Sequence, residues 1–418
     1  MITTTYSLVE ICKIRSGKRL PKGCDFSEAP TAYKYIRARD IKNGTIDGSD
    51  LVYISEEVQS KIKKYIVNTN DIVITIVGAS VGDVAYVASE FDGMNLTENA
   101  VRLTEFAPYV NSKYLMYILN SLEYWELMQQ IAGGAAQPKL GIYKIEAIKV
   151  HLPPKTVQDR IVDILCTYDD LIKNNQKKIK LLEEAAQRLY KEWFMDLRFP
   201  GHETTPIIDG IPEGWERKTV AECLSFHGNG GWGKETPMGK NEHPGKVIRG
   251  TDIEDVKAGR FGDIPLRYHT DNDIKKRTLK NYDLVFELSN GNINNIGRCL
   301  LIDDLVLKNC GENTICASFC KLLRPVDRLH SLMLYWEIQD MQISGRMLPL
   351  KKHGANGINN FDFDGFLNHE LLIPNNADML APIEAIMTKI CIIQGQFALL
   401  TESRDRLLPK LMNGEIEV

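Results

Sequence analysis

Four groupings of residues have the types and spacing to do chemistry. Gly228-Asn229-Gly230-Gly231-Trp232-Gly233-Lys234 matches the G-x-x-x-x-G-K pattern whose backbone amides cradle phosphate, but Glu235 stands where a Ser or Thr would meet magnesium. No β-rich run of the usual kind leads into it, so a glycine-rich surface loop is the plainer reading. Asp209 with Glu216-Arg217-Lys218 loosely resembles a nuclease carboxylate–lysine set, but it falls in what reads as a linker. Cys316 and Cys320 sit four apart with no histidine pair at zinc spacing, and the nine cysteines form no C-x-x-C. Free thiols in a reducing compartment account for them. No H-E-x-x-H, no G-x-S-x-G, no Pro-Pro-aromatic motif and no methyl-donor glycine loop occurs. The chain reads as a recogniser or scaffold, not a catalyst, and as one that binds no metal or cofactor of its own.

The fourth grouping is basic. Lys13, Arg15, Lys18, Arg19 and Lys22 fall within ten residues that contain no acid, and Arg37 and Arg39 follow on an expected strand. In the second half Lys234, Lys246 and Arg249 occupy the corresponding region, with Lys275, Lys276 and Arg277 later. Lys and Arg neutralise phosphates, and Arg also reads guanine edges. Gly78 and Ser80 lie in the loop Gly78-Ala79-Ser80-Val81-Gly82, which either brings backbone close to a ligand or makes a tight turn. Lys+Arg 51 against Asp+Glu 55 gives a net charge of -4, which excludes coating of nucleic acid by bulk charge. Contact with DNA would have to be local.

The elements that hold these residues repeat. An offset of 212 residues maps Glu10 onto Glu222 and Ile36-Arg37-Ala38-Arg39-Asp40-Ile41 onto Ile248-Arg249-Gly250-Thr251-Asp252-Ile253. It also maps Asp71-Ile72-Val73 onto Asp283-Leu284-Val285, and Gln130-Ile131-Ala132-Gly133 onto Gln342-Ile343-Ser344-Gly345. With small insertions Glu98-Asn99 meets Glu312-Asn313, and Leu152-Pro153 meets Ile373-Pro374. Each half runs from short β-rich stretches to a helical stretch (Lys113–Gln130, Leu332–Gln342), a proline-bearing exit and a long helix. This predicts an α+β globule in each half. With hydrophobic residues at 44% and charged residues at 25%, each globule can form a core.

The long helices carry the clearest pattern. After Pro154, Thr156 is the expected N-cap, with Asp159 in the first turn. Ile161, Leu165, Tyr168, Ile172, Asn175, Ile179, Leu182, Ala186, Leu189 and Trp193 then step by fours and threes. Ile383, Ile386, Ile390, Ile393, Phe397, Leu400, Arg404, Leu407 and Leu411 answer them, and Pro409 is expected to bend or end that helix. Asn175 and Arg404 interrupt the two seams. Two matched seams joined by a short Pro/Gly-rich linker predict helices pairing as an antiparallel coiled coil. The expected segments are 1–155 and 215–377 for the globules, 156–196 and 378–412 for the helices, 197–214 for the linker and 413–418 for a tail. The longest uncharged apolar run, Ile72 to Val81, is half the ~20 residues of a membrane helix, and the N-terminus has no basic start or long apolar block. A cytoplasmic protein without a membrane segment is expected.

Several of these features together resemble a known family. They are the exit Leu152-Pro153-Pro154 followed by Gln158-Asp159-Arg160-Ile161-Val162, the Phe199-Pro200-Gly201 linker, the Ile211-Pro212-Glu213-Gly214-Trp215 start of the second copy, and Asp71-Ile72-Val73 with Gly78 to Gly82. In that order they look like the specificity subunit of type I restriction-modification systems. The resemblance covers essentially the whole chain and rests on the order of the motifs rather than on any one. It implies two target-recognition domains, each reading half of a bipartite, asymmetric site on double-stranded DNA. It implies paired helices that act as a spacer and dock two methyltransferase subunits, with motor-nuclease subunits completing the complex. S-adenosylmethionine, ATP and Mg would sit on those partners and this chain would be non-catalytic. The competing readings are a coiled-coil scaffold without DNA specificity and a DNA-modifying enzyme of unrecognised chemistry. The second copy departs from the pattern, with Ser289-Asn290-Gly291-Asn292-Ile293-Asn294-Asn295-Ile296-Gly297 where the first has Gly78 to Gly82.

Overall fold

The computed structural model describes residues 2–133, 138–354 and 357–418. The chain forms two compact units: Met1–Asp169 with Ser403–Val418, and Asp170–Glu402.

The first unit is built on a four-stranded antiparallel sheet of β1 (Lys13–Ser16), β2 (Ile72–Thr75), β3 (Val84–Tyr86) and β4 (Ala100–Thr104), in the order β1-β4-β2-β3. Every residue of β2 is buried, because the sheet is covered on both faces. Ile72, Ile74, Val84 and Leu103 turn to a core shared with α1 (Ser112–Leu119) and α2 (Leu122–Ala132). Val73, Ala85 and Ala100 turn to a second core with Ile36, Ile41 and Leu96. That alternation is the period of two expected of a strand. The expected helix over Lys113–Gln130 is thus two helices, broken at Asn120-Ser121.

α3 (Lys155–Tyr190) follows. It starts one residue before the expected N-cap, so Thr156 lies inside its first turn. Ile161, Val162 and Leu165 of α3 share the first unit's core with Leu411. Leu411 belongs to α5 (Ala381–Met412), which runs through Pro409 without ending there. Asp169 accepts a hydrogen bond from Arg404 at 3.0 Å and one from Tyr117. The polar interruption in the second seam is therefore an ion pair.

The second unit repeats the plan. Its sheet is β5 (Leu224–Asn229), β6 (Leu284–Glu287), β7 (Cys299–Leu301) and β8 (Cys320–Pro325), ordered β5-β8-β6-β7. Leu284 and Phe286 face one core and Val285, Leu300 and Leu322 another. A single helix, α4 (Arg328–Ser344), stands where the first unit has two. Within this unit Ile179 clusters with Ile390 and Ile393, flanked by Leu182 and Ile386, while Ala186 and Tyr190 share a core with Leu380 and Ile383. Positions that advance along α3 meet positions that recede along α5, so the helices run antiparallel, as they do in the first unit. The expected α+β duplication with paired long helices holds.

Four sequence landmarks turn out to be paired staples. Ser7 and Thr219 donate through backbone N and hydroxyl to Glu10 and Glu222. The buried carboxylates of Asp71 and Asp283 cap the backbone of Asn68 and Lys280 and pair with Arg102 and Arg324, at 3.1 and 2.7 Å. Two expectations need correction. Glu216 and Lys218 lie in a strand, Trp215–Thr219, and not in the linker. By length and composition the helical segment Ala377–Met412 is apolar enough to cross a membrane, contrary to the expectation that no segment comes near. Its Ile383, Ile390, Ile393, Phe397 and Leu411 are buried within the two units.

Candidate nucleic-acid interface

In the first unit one end of the sheet gathers three chain segments. β1 ends at Ser16, opposite Val101, and β2 ends at Thr75, opposite Ala100. Gly17 N donates to Ala100 O (3.0 Å), Lys18 N to Leu96 O (2.8 Å), Ile76 N to Asn99 O (2.7 Å) and Gly82 N to Thr75 O (2.9 Å). Lys18-Arg19, the Gly78–Gly82 turn and Glu98-Asn99 therefore leave the sheet side by side. A Cβ on Gly17 would lie 2.0 Å from the Thr97 carbonyl oxygen, so only glycine admits this approach. Arg19 Nε donates to Glu98 at 2.6 Å. Burial pushes the Glu98 carboxyl up, but Arg19 and its other hydrogen bonds outweigh this and hold it below the usual carboxylate range. Lys18 is exposed above the Tyr65 ring, and Lys22 is exposed.

The other first-half candidates separate from this group. Lys13 opposes Thr104 at the far end of the sheet, where it pairs with Glu105, and Arg15 lies 4.0 Å from the same carboxylate. Arg37 grips Asp40 through Nε (3.0 Å) and Nη2 (2.9 Å), and Arg249 grips Asp252 in the same way (2.9 and 2.6 Å). Each staples a 3₁₀ turn, so its hydrogen-bonding edge is already occupied. Arg39 is exposed and pairs with Asp50 at 2.5 Å. Gly78 and Ser80 belong to the tight turn joining β2 to β3. It is fastened to α2 by Gln129, which donates to Val81 O, and by Trp125, which donates to Asp83 at 3.3 Å. Burial pushes the Asp83 carboxyl up.

The second unit has the same sheet end with different side chains. Gly230 N donates to Cys320 O (3.0 Å), Gly231 N to Cys316 O (2.9 Å), Leu288 N to Phe319 O (2.9 Å) and Gly297 N to Glu287 O (2.9 Å). Gly230 thus repeats Gly17, with a Cβ that would lie 2.1 Å from the Ala317 carbonyl oxygen, and Gly297 repeats Gly82. Ile36 and Ile248 pair in parallel with Leu96 and Cys316, so the offset between copies has grown from 212 to 220. Glu98-Asn99 therefore corresponds to Ser318-Phe319, which corrects the sequence match to Glu312-Asn313. The loop Ser289–Gly297 is longer than its counterpart but fastened alike: Gln342 Nε2 donates to Asn294 O (3.1 Å) and Ile296 O (3.2 Å).

Arg277 pairs with Asp273 on the short helix Asp271–Arg277 and lies beside Gly231, whose added Cβ would come 2.9 Å from Arg277 Nη1. Lys275 and Lys276 are exposed on that helix, and Lys234 is exposed just past Gly233. Lys246 is on a separate three-stranded sheet, donating to Asn309 O at 3.0 Å. The G-x-x-x-x-G-K run follows directly from β5, contrary to the expectation that no strand leads in. Its Gly230, Gly231 and Lys234 amides are spent on Cys320, Cys316 and Tyr268, so they do not cradle a phosphate.

Sequence reasoning missed several exposed groups here. Phe319 is 60% exposed, and Trp232 is 40% exposed with the Arg267 guanidinium 4.7 Å from its ring centroid. Asn292 and Asn294 are exposed on the long loop, and Lys352 on the neighbouring strand. A run of asparagines after a strand was the available signal for the loop. A phenylalanine at a strand start gives none, because aromatic residues there usually face a core. Among the described residues no group of three His, Cys, Asp or Glu could hold a metal. Cys316 is buried and its thiol is pushed up to about 12.

On the long helices, Ile172, Asn175 and Phe397 are buried and Leu400 is half-buried. Leu407 packs against the first core and Leu189 against the second. An open groove on α3 is lined by Leu181, Ala185 and Leu189 with Glu184, Arg188 and Glu192.

Comparison with known proteins shows what the chain is similar to. Residues 3–184 match the type I restriction modification DNA specificity domain. The chain is 23% identical over 326 residues to the type I restriction enzyme MjaIX specificity subunit of Methanocaldococcus jannaschii, covering 74% of this chain and 70% of that one. It is 30% identical over 226 residues to the MjaVIII specificity subunit of the same organism, where it spans about half (51%) of the relative's length and 50% of its own. The crystal structure of the S subunit of a type I system from M. genitalium superposes with a TM-score of 0.56 at 14% identity, covering 98% of this chain and 96% of that one, which establishes a shared fold.

Proposed function

We propose that this chain is a DNA specificity subunit of the type I restriction-modification kind, to whose members it is similar, and that it recognises double-stranded DNA through the like ends of its two four-stranded sheets, one half-site to each. The observation that carries this is the repeated sheet end itself. In both units the same glycine, the same fastened turn and the same strand start present side chains outside the core. In the first these are Lys18 and, beside it, Arg19 paired with Glu98 and half-buried Ser80; in the second Trp232, Lys234 and the asparagine loop. Cationic groups hold phosphates, while amides and aromatics meet base edges. Lys22, Arg39, Lys275, Lys276 and Arg277 supply further charge. Lys13, Arg15 and Lys246 stand apart from this end, and Arg37 and Arg249 support it from within.

As the non-catalytic component of its complex, the chain supplies address rather than chemistry. The helical seam formed by Ile161, Leu165, Ile172, Asn175, Ile179, Leu182 and Leu189 with Ile386, Ile390, Ile393, Phe397, Leu400 and Leu407 sets the spacing between half-sites. Exposed apolar positions on the helices, such as Leu181 and Leu399, dock two methyltransferase subunits. Those partners bring S-adenosylmethionine, and motor-nuclease subunits bring ATP and Mg. The setting is the cytoplasm, where the DNA is.

Inserting one heptad into each helix at matched positions keeps the seam and adds about 10 Å to each. At ~3.4 Å per base pair the unread gap in the target should grow by about three pairs. Sequencing of methylated sites in cells expressing the variant with its methyltransferase checks this. An unchanged gap refutes the spacer role. Equal binding to all duplexes by the parent complex refutes recognition and leaves a scaffold.

A further inference from the structure

We propose that Phe319 reads a thymine, by packing its ring against the C5-methyl group in the major groove of the half-site recognised by the second unit. The inference rests on the reading that the sheet end faces DNA, and it goes further by naming a residue and the base feature it meets.

Folding does not explain this side chain. Phe319 closes the turn into β8, between exposed Ser318 and buried Cys320, and is 60% exposed. Its backbone is held in register by Leu288 N and Ser289 N, which donate to its carbonyl at 2.9 and 3.3 Å. The ring is thus presented from a turn whose backbone is tied to the neighbouring chain segment. The equivalent position in the first unit is Asn99, so the scaffold does not demand an aromatic there.

The neighbours say what the ring meets. The next strands across are polar and cationic: Ser289 opposes Asn360, and Asn360 opposes Lys352. Ser289 Oγ donates to the Asn360 side chain at 2.7 Å. An exposed ring beside such polar and cationic strands suits a polar ligand that carries an isolated apolar feature. In duplex DNA the thymine methyl is that feature in the major groove. Phosphates and sugars offer none of comparable kind. The flanking amides and Lys352 suit the acceptors and phosphates on either side of it.

The test uses the full chain assembled with its methyltransferase subunits and a duplex carrying its mapped methylation site. Each thymine of the site is replaced singly by deoxyuridine, which removes only the methyl group. The parent complex is expected to lose about fourfold in affinity at one thymine, the worth of one buried methyl. Phe319→Ala should bind the thymine duplex as weakly as the parent binds the uracil duplex, and should lose nothing more on replacement. Phe319→Asn, with the residue of the first unit, should do the same. The side chain lies outside the core, so both variants should keep the parent's thermal midpoint.

The proposal is overturned if no thymine is sensitive, or if the sensitivity survives both substitutions. It is also overturned if Phe319→Ala weakens assembly with the methyltransferase while the thymine-to-uracil ratio stays unchanged, because the ring would then be a protein contact. A parent complex that does not distinguish the mapped site from a scrambled duplex overturns the functional reading together with this one.

Discussion

The two units keep one skeleton under two different surfaces. Buried Asp71–Arg102 and Asp283–Arg324, stapling Arg37–Asp40 and Arg249–Asp252, and the close-approach pair Gly17 and Gly230 do the same work in each. At the sheet end the outward side chains are not kept: Lys18-Arg19 corresponds to Gly231-Trp232, Asn99 to Phe319, and a short turn to an asparagine loop. The difference teaches where the physics constrains and where it does not. A buried carboxylate without its partner, or a methyl thrust against a carbonyl oxygen, destabilises the domain outright. An exposed side chain can change without penalty to the fold, and so can answer to a ligand alone.

The sharpest way to break this comparison is to add one methyl group. Gly17→Ala and Gly230→Ala should each cost more than about 4 kcal/mol, because the new Cβ meets backbone that cannot move aside. Urea titrations followed separately for each unit should lose one transition apiece. A single sensitive glycine would mean the skeletons are not alike.

A smaller effect separates the two helix anchors. In the second unit Tyr190 donates to buried Glu337 at 2.9 Å, with His369 and Arg346 each at 2.8 Å. In the first unit the tyrosine sits on the domain helix and the carboxylate on α3, as Tyr117 and partly exposed Asp169. Burial pushes Glu337 up, but His369 and Arg346 outweigh it and hold the carboxyl below the usual range. A depressed carboxylate stabilises above its unfolded value, about 4.3, and that contribution is lost as pH falls through the folded value. Glu337→Gln should cost about 3 kcal/mol at pH 7 and flatten the acid limb of the second unit's stability curve. Asp169→Asn should cost less than half as much. Denaturant midpoints from pH 7 to pH 3 check both.

The smallest effect tests the surfaces. Lys18→Ala with Arg19→Ala should weaken binding to all sequences and shrink the logarithmic salt slope by about one per lost phosphate contact. Trp232→Ala should leave that slope unchanged. A shifted base preference in the double variant would move Lys18 and Arg19 from phosphates to base edges.

How far the sequence carried this structure follows the same division. Glu10, Asp71 and Arg37 were legible with their partners in the second copy because each has a backbone-capping or ion-pairing role that ties residue type to position. The matched seams gave the long helices because their apolar period persists over many turns. The match of Glu98-Asn99 to Glu312-Asn313 failed because extra residues precede the parallel strand Ile315–Cys316, and chance identity outweighed register. Gly17 and Gly230 were invisible, since the carbonyls that forbid a side chain come from residues eighty or more positions away. At the interface charge was legible but its division was not. Nothing in the run Lys13 to Lys22 says that strand β1 sends its two termini to opposite ends of a sheet.

The route of α5 has a consequence for how such a molecule is made and altered. Leu407 and Leu411 complete the core of the first unit, yet they are translated after every residue of the second. The residues that make up the first unit's core are therefore all present only once the chain has passed through the whole second unit. A change to this part of the first unit's core must therefore suit a helix end that lies beyond the whole second unit in the sequence.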